Sequence, residues 1–331
     1  MRRDYTVSAG RNPHVGRAKE LIKSHPDVRE LFGPYTPSAL WALAVVAGQL
    51  LMAWALADAH WLVIVAAAYL VGAFASHALF VLIHDASHNL ILHGTFANRL
   101  MGILCNVGQG FPSAMSFRTY HLLHHWHLDE YDYDADLAYR WEARLVGASP
   151  IRKALWLLVF AGIEVIRPLR IRGQFADPWL LVNVVAIAAT DYLIWLWCGF
   201  GGLAYVLLST FVGIGLHPLG ARWIQEHYTF VPGQETYSYY GILNRFSFNI
   251  GYHNEHHDLV RVPWVYLPKV KALAPEFYEP LFAHRSLTHV LLRWIFDPNL
   301  DLFARITRDR SRSRTEVRGA EVTLEELPAA V

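Results

Sequence analysis

WLVIVAAAYLVGAFASHALFVLIHDASH, residues 61–88, decides how the chain is read. Its first part, Trp61 to Ile83, is long and apolar enough to cross a bilayer core of about 30 Å at about 1.5 Å per residue. Its end, HDASH, sets His84 and His88 four positions apart, a spacing that puts both imidazoles on one face if the helix continues. Apolar length and paired metal-binding side chains therefore meet at one membrane surface.

Working outward, Ala39 to Ala57 is apolar apart from Gln49, Trp179 to Cys198 forms a third run and Leu203 to Leu219 a fourth. These runs predict an all-α integral membrane protein with four transmembrane helices in two hairpins. The apolar stretch Ala154–Ile163 is only about ten residues long between charged flanks, a length that predicts an interfacial helix. Parity agrees, because a span there would put the histidines before it and those after it on opposite faces. Residues 1–37 form a polar arm with an amphipathic helix from about Arg17 to Leu31 that could lie on the membrane surface, residues 38–304 the membrane domain, and residues 305–331 a charged tail. The basic N-terminus has no apolar stretch behind it, so no cleaved secretory signal is expected.

None of the 29 lysines and arginines falls in the expected hairpin turns, 58–60 and 199–202. The positive-inside rule then puts both termini and the histidine-rich cap in the cytosol. Arginine far outnumbers lysine, which is compatible with a GC-rich genome, so the endoplasmic reticulum of a eukaryote and the inner membrane of a bacterium both stay open.

Composition narrows the chemistry. The chain is 54% hydrophobic and 17% charged with a net charge of +1, below the charged fraction of a typical soluble domain and far from a basic nucleic-acid binder. Nucleic acid is not an expected partner. Cys105 and Cys198 are too few for a four-cysteine metal site. Histidine is the anomaly, with 18 copies, many of them clustered. After HDASH come HLLHH, with His121, His124 and His125, and HNEHH, with His253, His256 and His257. His227 stands between these last two groups in QEHYTF.

Nine candidate ligands exceed what one metal needs. Imidazole alone leaves iron, zinc, copper and nickel open. Two sites of four or five nitrogens each, with positions left open, suit two irons that bind and reduce O2, and attack on an unactivated C–H bond of a lipid requires such an oxidant with electrons from outside. No catalytic residue beyond the metal centre is called for. Asp85, Asp129, Glu226, Glu255 and Asp258 are the carboxylates near enough in sequence to fix ligand tautomers. Tyr237, Tyr239 and Tyr240 are candidates for headgroup contact or for an interfacial aromatic belt. Small and aromatic residues of the second and fourth runs are expected to line the lipid's path. His127, His217 and Asp191 are left open, while His14, His25, His60, His77, His93, His284 and His289 read as structural. A histidine-rich metal transporter is the remote alternative, disfavoured because the clusters lie beyond the span ends rather than at the bilayer midplane.

HxxxH, HxxHH and HxxHH around four spans resemble the integral-membrane fatty acid desaturase superfamily. The stretch GLHPLGARWIQEHYTFVPGQETYSYYGILNRFSFNIGYHNEHHDL, residues 215–259, together with HPDVRELFGP in the arm, resembles the sphingolipid delta-4 desaturases. This resemblance implies a dihydroceramide substrate, a trans double bond between C4 and C5 of its sphingoid base, and reduction by cytochrome b5 or an equivalent, ferredoxin-type carrier. It implies a ligand role for all nine histidines named above. Alternatives within the superfamily are C4 hydroxylation of the sphingoid base and desaturation of acyl-lipids or fatty acids. The chain departs from the family pattern at Asp85, where glutamate is common, and in WHLDEYDYDAD after His125. No HPGG-type haem motif is present, so a separate electron-transfer protein is expected.

Overall fold

The computed structural model describes residues 2–8, 10–172 and 177–308. Most of the charged tail, 309–331, lies outside the described residues. Among the described residues, three helices are long and apolar enough to cross a membrane: Ser38–Ala55, Trp61–Ser87 and Pro178–Gly213. Much of their surface is apolar and outward-facing, with Leu40, Leu51, Trp54, Leu70, Leu181 and Trp197 exposed, as lipid-facing helices require.

Local chemistry sets the helix ends. The His60 side chain accepts from the Leu62 amide and starts the second long helix. Asp177 accepts from the Trp179 amide, with Pro178 in the first turn, and starts the third. The second helix carries a π turn at Ala68–Gly72. A Cβ on Gly72 would meet the Ser209 side chain at 1.9 Å, so only glycine permits this crossing with the third helix. The third helix contains a non-helical residue, Gly199 (φ +60°, ψ −170°), in a region few side chains tolerate. It ends at Gly213 instead of running to Leu219 as expected. Pro218 has no amide hydrogen and disfavours helix in the residue before it, so the chain turns there.

Residues 95–126, which contain no apolar run of spanning length, form two helices, Thr95–Val107 and Ala114–Trp126, that pack among the long ones. The turn between them is held by polar groups of all three apolar helices, side chains of the first and third and a backbone carbonyl of the second. Gln49 donates to Gly108 O, Gln109 donates to Ser76 O, Thr210 donates to Gln109 O and Asn183 donates to Asn106 Oδ1. Irregular backbone among apolar helices survives only when protein groups satisfy it in this way. Asn183 and Thr210 stand on opposite sides of Gly199 yet reach the same turn. The Asp191 carboxylate also lies against this turn, beside Gly110 and close to Val206.

The stretch 150–166 is two short helices, Pro150–Leu158 and Phe160–Ile166, neither of spanning length. Ile151, Leu155, Leu158 and Val159 form an exposed apolar face, while Lys153 is buried and donates to the carbonyls of Trp294 and Asp297.

The N-terminal arm differs from a membrane-surface helix. Pro26 interrupts the amphipathic stretch, giving the helix Pro13–Ser24 and a 3-10 turn Pro26–Leu31. Its apolar residues Leu21, Ile22 and Val28 are buried against Leu259, Val262 and Val270. Protein, not lipid, covers that face. Residues Thr6–Ser8 pair in parallel with Ile306–Arg308, tying the arm to the start of the tail.

Candidate metal centre

The histidine boxes sit on four helices that converge at one end of the long ones. His84 and His88 close the helix ending at Ser87, His121, His124 and His125 lie on Ala114–Trp126, His227 ends Arg222–His227, and His253, His256 and His257 lie on His253–Asp258. All nine expected ligands come together, in two neighbouring groups.

The first group is His84, His88, His121, His125 and His256. Their Nε2 atoms form a chain of short contacts: His84 to His256 3.0 Å, His256 to His125 3.1 Å, His125 to His121 3.1 Å and His121 to His88 2.9 Å. Metal–nitrogen bonds of about 2.1 Å at right angles place neighbouring nitrogens about 3.0 Å apart. Burial, reinforced by the neighbouring histidines, pushes His88, His121, His125 and His256 well below the usual imidazole range. A neutral imidazole Nε2 carries one proton or one lone pair, and His256, His125 and His121 each face two such neighbours. The contacts cannot all be good hydrogen bonds at once, so the donor set fits a metal ion.

The second group joins His124, His227 and His257, with His253 Nε2 3.0 Å from His227 Nε2. His124 Nε2, His257 Nε2 and His227 Nδ1 are buried with no hydrogen-bond partner. Leaving such atoms unpaired costs about 1–3 kcal/mol each, a cost that a bound metal removes.

The carboxylates divide. Asp85 lies 3.4 Å from His84 Nδ1, and Glu226 lies 3.5 Å from His253 Nδ1 while accepting from Arg222 at 2.6 Å. Both occupy the tautomer-fixing position expected of them. Glu255 instead accepts from Ser238 and Tyr240, and burial raises its carboxyl to about 7. Asp258 faces His14 and Arg17. Asp129 corrects the sequence reading. Its backbone is in the left-handed region (φ +64°), which turns its carboxylate toward Arg305 and Arg308 at 3.4 and 2.8 Å and away from the histidines.

The sequence reading missed the two acids that take its place. Asp134 and Asp136 lie 3.0 and 3.6 Å from His124 Nδ1. Burial opposes charge on His124, but these carboxylates overcome it and raise the ring to about 9, while Asp134 is held below the usual carboxylate range. The signal was the acid-rich run DYDAD itself, which the chain folds back over HLLHH.

Tyr237 and Tyr239 are buried, with hydroxyls committed to backbone: Tyr237 donates to Gln234 O at 2.7 Å and Tyr239 accepts from the Leu243 amide at 3.1 Å. Neither is free to touch a headgroup. Tyr240 is half-buried, donates to Glu255 and lies 4.8 Å below the Lys271 ammonium. His127 pairs with Glu130 and stacks on Tyr133, and His217 accepts from the Leu219 amide. Both lie outside the metal groupings among the described residues.

A groove of about 450 Å³ adjoins the centre. Trp41, Val45, Gly48, Gln49 and Met52 line one side along a single helix face, and Val71, Phe74, Ala75 and Ala78 the other. It adds the first long helix to the lining expected from the second and fourth runs, the latter represented by Tyr205. From Trp41 to Met52 it extends about 16 Å at 1.5 Å per residue. Trp264 closes one end, and its backbone N–H donates to Asp85 Oδ2 at 3.1 Å, beside His84. Trp264 and Asp85 thus link the apolar slot to the first histidine group.

The fatty acid desaturase family model matches residues 59–300, and that of the sphingolipid delta4-desaturases matches residues 1–36. The chain belongs to the sphingolipid delta(4)-desaturase family, within the fatty acid desaturases. It is 39% identical to a sphingolipid delta(4)-desaturase DES1-like protein of Oryza sativa over 93% of this chain and 94% of that one. It is 37% identical to the sphingolipid delta(4)-desaturase DES1 of Drosophila melanogaster, over 93% and 96% of the two chains. Identity to the human sphingolipid delta(4)-desaturase/C4-monooxygenase DES2 is 37%, covering 89% and 92%.

Proposed function

We propose that this protein is a membrane-bound oxidoreductase that desaturates the sphingoid base of dihydroceramide, leaving a trans double bond between C4 and C5. The observation that carries the reading is the junction of an apolar groove with a nest of neutral imidazoles, through Trp264, Asp85 and His84. The names of its relatives supply the substrate class.

His84, His88, His121, His125 and His256 would hold one iron, and His124, His227, His253 and His257 the other. Bound there, the two irons supply with O2 the oxidising power to break an unactivated C–H bond. For each double bond, one O2, two external electrons and two protons are consumed and two waters released. Asp85, Asp134, Asp136 and Glu226 hold the free nitrogens of their histidines, fixing which nitrogen faces the metal. The groove excludes water and lays the hydrocarbon chain beside the first histidine group. A separate carrier, cytochrome b5 or a ferredoxin-type protein, brings the electrons.

The same reading includes four spans in two hairpins, with the third helix forming two legs about Gly199. The shared contacts of Asn183 and Thr210 with one turn support it. The basic residues flanking the long helices support cytosolic termini and a cytosolic centre, in the endoplasmic reticulum or a bacterial inner membrane. Residues 1–37, 38–304 and 305–331 serve as arm, membrane domain and tail.

Lipid profiling of cells expressing the protein tests the substrate class. New delta-4 unsaturated sphingoid bases are expected, with any C4-hydroxylated base measured alongside. Unchanged sphingoid bases with altered acyl chains would overturn the reading.

A further inference from the structure

The sequence gives His14 no part in the centre, yet the residue is only 2% exposed and its ring lies 4.8 Å from that of His257. Both of its nitrogens face protein: Nδ1 is 2.7 Å from Asp258 Oδ1 and Nε2 is 3.0 Å from Thr236 Oγ1. His14 therefore has no nitrogen left for a metal. One turn further along, Arg17 donates from Nε to Asp258 Oδ2 at 2.6 Å and from Nη2 to Asn254 Oδ1 at 3.2 Å.

Asp258 and Asn254 belong to the helix His253–Asp258, only six residues long, which carries His253, His256 and His257. A helix this short does not hold its shape alone and depends on tertiary contacts. The N-terminal helix supplies them at both ends of the segment, and Leu21, Ile22 and Val28 anchor that helix to the residues that follow.

We propose that His14 and Arg17, acting through Asp258, are positioning residues for His257 and His253, so that the N-terminal arm forms part of the wall of the second metal site. This rests on the two-iron reading above. Mispositioned supporting groups typically weaken metal affinity about 10–100-fold, so one site should empty while the other stays filled.

The test uses the full-length protein purified in detergent as wild type, His14→Ala, Arg17→Gln and an exposed-arm control, Lys23→Ala. Iron per chain after a mild chelator wash is measured with the Mössbauer spectrum. Wild type and Lys23→Ala should keep both irons. His14→Ala and Arg17→Gln should lose about half, with the signal of one iron environment selectively reduced. His14→Asn, which keeps a donor toward Asp258, should retain more iron than His14→Ala. If His14→Ala does not accumulate, Arg17→Gln decides. Full iron and an unchanged spectrum in the variants would overturn the inference while leaving the two-iron reading intact. Iron-free wild type would overturn both.

Discussion

His84 and His256 stand 172 positions apart in the chain and bring their Nε2 atoms to 3.0 Å of each other. Only the fold makes them neighbours, and a metal ion between them would hold both nitrogens at this distance. Replacing His256 with Ala is expected to abolish desaturation and lower bound iron, with membrane insertion unchanged because insertion depends on the apolar helices. Product assays and iron analysis on washed membranes check this. Retained turnover would remove His256 from the ligand set.

Asp134 and Asp129 should separate cleanly. Asp134→Asn loses the carboxylate that holds His124 Nδ1 at 3.0 Å and should weaken iron binding about 10–100-fold. Asp129→Asn leaves the buried Arg305 without its ion-pair partner, while Arg308 keeps Glu235, a change that costs up to about 3–5 kcal/mol. Its effect should fall on thermal stability. Iron titration and melting curves on both variants make the comparison.

Much of the centre was legible in the sequence because its ligands lie on helices, where a spacing of three or four positions fixes a shared face whatever the surroundings. Asp85 and Glu226 were picked out by their nearness in sequence to His84 and His227, although Glu226 faces His253 instead. The turn of Asp129 away from the histidines was not legible, since one left-handed residue reverses the loop and a linear count from His125 cannot see that. His14 was illegible in a different way. It acts on Asp258 across 244 positions, and nothing in the arm's own pattern marks it. The packing of Thr95–Val107 and Ala114–Trp126 among the long helices was not legible because their buried faces carry Asn98, Asn106 and Thr119, which read as solvated until Gln49, Asn183 and Thr210 are seen to meet the turn between these helices.

Gly48 offers a test of the groove. A Cβ there meets nothing within 4 Å, so Gly48→Leu should fold normally and fill the slot instead. Activity on long-chain substrate is expected to fall about tenfold or more, equivalent to 1.4 kcal/mol or above, with short-chain analogues affected least. A chain-length series measured on wild type and variant checks it. Equal loss at every length would place the substrate elsewhere.

Glu164 predicts a pH dependence of stability. Burial raises its carboxyl from 4.5 to about 7, the nearby Arg167 opposing the rise. The folded state therefore holds this proton more tightly than the unfolded state. Its contribution is full below about pH 4.5 and is lost as pH rises through about 7, by at most roughly 3 kcal/mol. Glu164→Gln should flatten the melting temperature across this window, as detergent-phase melts from pH 5 to 8 would record. An unchanged slope would show that Glu164 does not titrate there.

The most direct test supplies dihydroceramide, O2 and a reducing system to membranes containing the protein and follows the sphingoid base by mass spectrometry. The account predicts a product lacking two hydrogens, with a trans C4–C5 double bond, formed by wild type and absent with His84→Ala. Unaltered dihydroceramide under conditions where the protein is folded and carries iron, or equal product from His84→Ala, would contradict it.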